Sequence, residues 1–316
     1  MSSKSKFLLH CKTKGFFGAI LYAIQSKIGV NQLRREVDSL FYYLNLTTDI
    51  TKIPTSKDPA LRNLQLCNLQ LMKIIDKLFH KHGITYWLDC GTALGAYRHN
   101  GFIPWDDDMD IAIIRDDYHK AILILKDELK DLPFQIEVDA NCPLGRFGVG
   151  YKHELTGVWC DIFPMETYYS DEPRLAAEEK LKQQIEIYRI FYHKNKNCLK
   201  EEDIISKKKE ILFKHSIGSV PYFFYGPEFQ HKWLPLFPQY LTTPVQRHIY
   251  DSAEFDVPAN LYEYLKIKYG FDFMTYPRSG LSHHGSEQGS ITQWAKNNNV
   301  DMSIVLNELS SIYSSL

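Results

Sequence analysis

The run Asp106-Asp107-Asp108-Met109-Asp110 constrains this chain more than any other feature, because it leads straight into Ile111-Ala112-Ile113-Ile114. If Asp108 to Ile114 is extended, side chains alternate between faces. Asp108, Asp110 and Ala112 then share one face, while Met109, Ile111 and Ile113 point to a core. Aspartate is depleted in strands, and two carboxylates about 4 Å apart repel by roughly 4 kcal/mol at an effective dielectric of 20. A divalent cation is the natural counter-charge, and an all-oxygen donor set selects a hard ion, Mg²⁺ or Mn²⁺. Asp108 and Asp110 are therefore the expected metal pair, with Asp106 and Asp107 in supporting roles.

The flanking sequence supplies the scaffold. Asp58-Pro59 is an N-cap followed by proline at the first helical position, and Gly83 closes the helix after Lys81-His82. Leu64, Cys67, Leu71, Ile74, Ile75 and Leu78 recur between them at helical spacing. Ile84, Tyr86 and Leu88 alternate as a strand, and the glycine-punctuated stretch 91–105 reads as a loop. A strand over 109–114 precedes a helix capped by Asp116. Strands follow at 134–138, 147–152 and 157–163, the last with Trp159, Asp161 and Phe163 on one face. This order predicts an α+β fold, a small mixed sheet backed by helices. The expected organisation is an N-terminal helical extension (1–55), a catalytic core (56–168) and a mostly helical subdomain covering the substrate (169–316).

Upstream of the acids, Asp89-Cys90-Gly91-Thr92 leaves a strand and enters a turn. Gly91 allows close backbone approach to a phosphate, the Thr92 hydroxyl can hold its oxygens, and Arg98 can clamp it. Asp89, at the strand end, is expected to order the turn.

A net charge of -1 over 316 residues gives no global attraction to nucleic acid. The six cysteines contain no CxxC pair, which argues against a thiolate metal site and fits a reducing compartment. Residues 1–30 are basic and amphipathic, with an apolar stretch too short to span a bilayer. They suit packing on the body of the protein or peripheral contact with a membrane surface. The expected location is cytoplasmic, at or near the inner face of the cell membrane. His283-His284 read as an exposed polar loop, and His99 is the histidine nearest the acids.

The continuous stretch Tyr86-Trp87-Leu88-Asp89-Cys90-Gly91-Thr92-Ala93-Leu94-Gly95 through Pro104-Trp105-Asp106-Asp107-Asp108-Met109-Asp110 resembles the LicD family of phosphocholine transferases and fukutin-related proteins. Val158-Trp159-Cys160-Asp161-Ile162-Phe163-Pro164 and the segment from Val257-Pro258 to Tyr276-Pro277 are similar too. The sequence departs from the family pattern at Cys90 and Ala93, positions without chemistry of their own. The resemblance implies a nucleotidyltransferase-like fold in which Asp161 joins Asp108 and Asp110 at the metal from a later strand. It also implies transfer of a phospho-alcohol, phosphocholine foremost, from a CDP-activated donor to a hydroxyl of a glycan or lipid-linked sugar, as in lipopolysaccharide, capsule or teichoic acid synthesis. Asp161 is then the expected base, and Lys152 a further phosphate contact. Two alternatives stand beside this: a nucleotide-sugar glycosyltransferase using Asp-x-Asp, and a non-catalytic glycan-binding protein.

Overall fold

The computed structural model describes residues 30–138, 144–214, 216–228, 235–276 and 297–316. They fall into two compact units. The smaller holds a helix over 30–47 (α1), whose Asn45 side chain accepts from the Tyr276 amide at 2.8 Å. The larger runs from Thr51 to Met274 and resumes near the C-terminus. His283, His284 and most of residues 1–30 lie outside the described residues. Among the described residues, no helix is long and apolar enough to cross a membrane.

The larger unit opens with α2 (Pro59–His82). Asp58 caps it, its carboxylate accepting from the Ala60 amide at 2.9 Å, and Gly83 ends it in the left-handed region at φ 66. Both ends stand where the sequence placed them. The chain continues through β1 (Tyr86–Leu88), α3 (Cys90–His99), β2 (Met109–Ile114), α4 (Tyr118–Glu128), β3 (Phe134–Val138) and β4 (Phe147–Tyr151). After the one-turn α5 (His153–Thr156) come β5 (Val158–Tyr169), α6 (Arg174–Asn195) and α7 (Glu201–Leu212). Then follow β6 (Pro221–Tyr225), β7 (Phe237–Pro238), α8 (Gln239–Thr242), the β8–β9 hairpin (Gln246–Tyr250, Ala253–Val257), α9 (Leu261–Tyr269) and α10 (Met302–Ser315).

Seven strands form one mixed sheet in the order β1-β2-β5-β4-β3, with β6 paired to the distal half of β5 and β7 to β6. The β2–β5 pair is parallel and its other neighbours are antiparallel. The α+β architecture expected from the sequence is therefore the one found. Met109, Ile111 and Ile113 are fully buried in the core that α2 and α4 share with the sheet. Ala112 faces the opposite layer, with Trp87, Phe163, Phe223 and Tyr264. Burying each large apolar side chain on β2 contributes about 1.5–3 kcal/mol, so the strand carrying the acids is held from both sides.

Three local expectations need correction. The stretch read as a loop begins with helix α3. Gly95 lies inside that helix because a Cβ there would stand 2.4 Å from the Gly101 carbonyl oxygen, so this glycine serves close packing rather than a turn. Asp116 lies within a single 3-10 turn (Arg115–Asp117), and Asp117 occupies the cap position of α4 without a side-chain cap bond. Finally, β5 runs six residues past Phe163, to Tyr169, because β6 pairs with its continuation from Met165 onward.

Candidate active site

The parallel ladder sets Asp110 of β2 directly beside Asp161 of β5, on strands about 4.8 Å apart. Just before β2, one carboxylate oxygen each from Asp106, Asp107 and Asp108 lie within 4.8 Å of one another. That three-acid group does not include Asp110 and Asp161, which stand as ladder partners next to it at the N-terminal end of the two central strands.

Backbone and amide contacts hold this arrangement in place. The Asp110 amide donates to the Thr92 hydroxyl at 2.8 Å, and the Asp89 amide donates to the Asp110 carbonyl at 2.9 Å. Both bonds tie the first turn of α3 to β2. From α2, the buried Gln65 side chain donates to the Asp106 carbonyl at 2.8 Å. Asn68 donates to the Asp107 carbonyl at 2.6 Å and accepts from the Trp159 amide at 3.0 Å. Buried amides on an apolar helix face are costly unless satisfied. Here both are spent fixing the loop that carries the acids.

The electrostatics are lopsided. Burial pushes the Asp110 carboxyl well above the usual range, and Asp108, Asp161, Asp106 and Asp89 push it further. Burial likewise raises Asp106, reinforced by Asp108 and Asp107 and only partly opposed by Arg98. Asp161, 7% exposed, is raised by burial too, although Trp159 and Arg146 work against this. The Trp159 indole donates to one Asp161 oxygen at 2.7 Å, and Arg146 forms an ion pair with the other. A Cβ on Gly148, which faces Asp161 across the ladder, would stand 1.8 Å from the indole ring, so only glycine leaves room for Trp159 there.

Next to this cluster lies a buried acid of the opposite kind. Asp89 is fully buried and accepts from Lys268 at 2.6 Å, Tyr225 at 2.5 Å and Tyr264 at 2.9 Å. Burial alone would raise its carboxyl, but the Lys268 ammonium, with the Tyr225 hydroxyl and the Cys90 amide, holds it below the usual range. Asp89 therefore anchors the entry to α3, where Cys90 adopts a positive φ of 45.

The residues expected to bind phosphate are only partly gathered. Gly91 lies under the acids; a Cβ there would stand 2.6 Å from an Asp106 oxygen. Thr92 is 1% exposed and braces Asp110 from within the protein. Arg98, 5% exposed, turns inward and donates to the Phe273 carbonyl at 3.0 Å. Lys152 sits at the other end of β4 and pairs with Glu308 of α10 at 2.8 Å. Four residues of strand, about 13 Å, separate it from Gly148. His99 is partly buried, and neither ring nitrogen has a hydrogen-bond partner among the described residues.

Residues that sequence reasoning passed over complete the frame: Gln65, Asn68, Arg146, Tyr225, Tyr264 and Lys268. A signal existed for the first two, polar residues inside the apolar stripe of α2. The others become neighbours only through sheet pairing and the packing of α9.

Residues 83–219 match the family model described as LicD/FKTN/FKRP, nucleotidyltransferase domain. That stretch is similar to the LicD family's domain. A 66-residue segment is 42% identical to the lipopolysaccharide cholinephosphotransferase LicD of Haemophilus influenzae, covering 21% of this chain and 25% of that protein. An uncharacterized protein of Rickettsia typhi is 54% identical over 68 residues, 22% of each chain. The human ribitol-5-phosphate transferase FKTN is 36% identical over 55 residues, 17% of this chain and 12% of FKTN. These matches span a quarter or less of each relative's length. The matched stretch contains Asp106, Asp107, Asp108 and Asp110 as well as Asp161 of β5.

Proposed function

We propose that this chain transfers a phospho-alcohol group from a CDP-activated donor to a hydroxyl of a cell-surface glycan or its precursor, releasing CMP. The observation that carries this reading is the carboxylate cluster of Asp106, Asp107 and Asp108 beside the Asp110–Asp161 pair, in which the largest charge effects on Asp110 come from other acids. A cluster built this way fits a hard divalent cation, since its donors are all carboxylate oxygens that repel one another. Asp106, Asp107, Asp108 and Asp110 would hold Mg²⁺ or Mn²⁺, with Asp161 completing the set. Such an ion, when bound, neutralises the charge of the donor diphosphate and of the leaving phosphate.

The chain's own residues do the rest. Asp89 and Thr92 fix the first turn of α3 against β2, and Gly91 leaves room there for the Asp106 carboxylate. In the transfer, the acceptor hydroxyl oxygen forms a bond to the donor's distal phosphorus. The bond from that phosphorus to the bridging oxygen breaks, and CMP departs with the electron pair. The hydroxyl proton passes to a carboxylate, a role this proposal gives to Asp161, whose proton affinity is raised by burial and opposed by Trp159 and Arg146.

The Haemophilus relative is named for cholinephosphate and FKTN for ribitol 5-phosphate, so choline and ribitol head the donor screen. As part of this proposal, the reaction takes place on the cytoplasmic side of the membrane. The test measures CMP release from CDP-choline, CDP-ethanolamine, CDP-glycerol and CDP-ribitol with Mg²⁺ and a glycan acceptor. Release from one donor, lost in Asp110→Asn, is the expected result. Hexose transfer from a nucleotide-sugar with no CMP release from any CDP-alcohol overturns the proposal.

A further inference from the structure

With Arg98 turned into the core and Lys152 at the far end of β4, the cluster needs another cation to meet a diphosphate. We infer that Arg146 is the residue whose guanidinium grips the donor's diphosphate, an inference that rests on the phosphotransfer reading. Arg146 immediately precedes β4, two residues before Gly148, and so shares its face. Gly148 lies opposite Asp161 in the antiparallel ladder, so Arg146 is the diagonal neighbour of that acid. Its side chain is 40% exposed, whereas the side chain of its partner Asp161 is 9% exposed. The guanidinium thus stands at the boundary between the buried acids and solvent, where a phosphate would arrive.

The contact with Asp161 is a pairing that substrate can replace. Trp159 holds the other Asp161 oxygen at 2.7 Å independently, so this carboxylate keeps its orientation when the arginine leaves. A guanidinium presents a planar fork that matches two phosphate oxygens, whereas an ammonium meets them as a point charge. If Asp161 served a bound cation, Arg146 would be free to turn from it to the diphosphate. Arg146 and the cation therefore compete for Asp161 and cooperate on the donor.

That relation gives opposite signs for two binding measurements. Mg²⁺ alone, and then inorganic pyrophosphate in saturating Mg²⁺, are titrated calorimetrically into the full chain and into Arg146→Gln and Arg146→Lys, with thermal melts confirming that each variant folds. The expected result for Arg146→Gln is pyrophosphate binding weakened by about 10- to 100-fold, the scale of one lost charge-assisted contact, with Mg²⁺ bound at least as tightly as by the wild type. Arg146→Lys should recover only part of the pyrophosphate affinity, and with CDP-alcohol the loss should fall on KM more than on kcat. Unchanged pyrophosphate affinity in Arg146→Gln overturns the inference. So does a parallel loss of Mg²⁺ affinity, the outcome for an arginine that merely braces Asp161. Arg146-dependent pyrophosphate binding without CMP release from any CDP-alcohol supports Arg146 as the diphosphate ligand and overturns the transfer reading alone.

Discussion

Two sets of buried acids lie side by side in this protein, and they are built on opposite plans. Asp89 is surrounded by Lys268, Tyr225 and Tyr264, all reaching its carboxylate within 2.9 Å. A further pair of acids shares the Asp89 plan at the other end of the central strands. There Glu166 and Glu228 share Arg115 and Lys208 in a buried network, and Tyr188 donates to Glu228 at 2.7 Å. In the Asp106–Asp110 run, by contrast, the carboxylates mainly face other carboxylates. Acids that hold the fold together bring their own cations. In the proposal made above, the acid-rich run is the one whose remaining counter-charge would come from a bound cation.

The contrast breaks most visibly on substitution. Asp110→Asn should lower CMP release by about 1,000-fold or more, the scale of losing electrostatic stabilisation at a transition state. The same change should leave metal-free thermal stability equal or higher, because it removes a repelling charge. Asp89→Asn or Lys268→Met should do the reverse in equilibrium denaturation. Breaking one half of a buried pair costs about 3–5 kcal/mol, and added Mg²⁺ should not restore it. If Asp110→Asn destabilised the metal-free protein as strongly as Asp89→Asn, the two sets would not differ in kind.

A smaller effect sharpens the edge of the site. His99 is held down to about 4 by burial, reinforced by Arg98. Its folded value lies below the unfolded one of about 6.5. The stability it supports is therefore complete above pH 6.5 and lost as pH falls toward 4, with a slope of at most about 1.4 kcal/mol per pH unit. His99→Leu should flatten that slope in chemical denaturation followed from pH 7 to 5. An equal slope in the variant would assign the acid sensitivity elsewhere.

Much of this arrangement could be read from local sequence. The Asp58-Pro59 start, the Gly83 stop and the alternation of Met109, Ile111 and Ile113 are encoded within a few residues, so α2 and β2 were legible. The neighbourhood of Asp110 and Asp161 was not derivable from spacing and entered through family resemblance; the ladder register now supplies its physical basis. What stayed hidden depends on long-range packing. Arg98 has a phosphate clamp's chemistry but lies where α3 turns it toward Phe273. Arg146 looked ordinary because its partner is fifteen residues away, across a hairpin. Lys268 is separated from Asp89 by more than half the chain, and no periodicity links them. The α3 misreading has a local cause, since glycines that serve close packing look the same in sequence as glycines that make turns.

The central claim is that the Asp106–Asp110 cluster takes its counter-charge from a bound cation. Titrating Mg²⁺ into the metal-free protein while following its melting temperature tests this most directly. A saturable rise in Tm that is retained in Lys152→Ala but lost in Asp108→Asn and Asp110→Asn is the result this account predicts. A Tm insensitive to millimolar Mg²⁺ and Mn²⁺, together with CMP release that persists in EDTA, would contradict it.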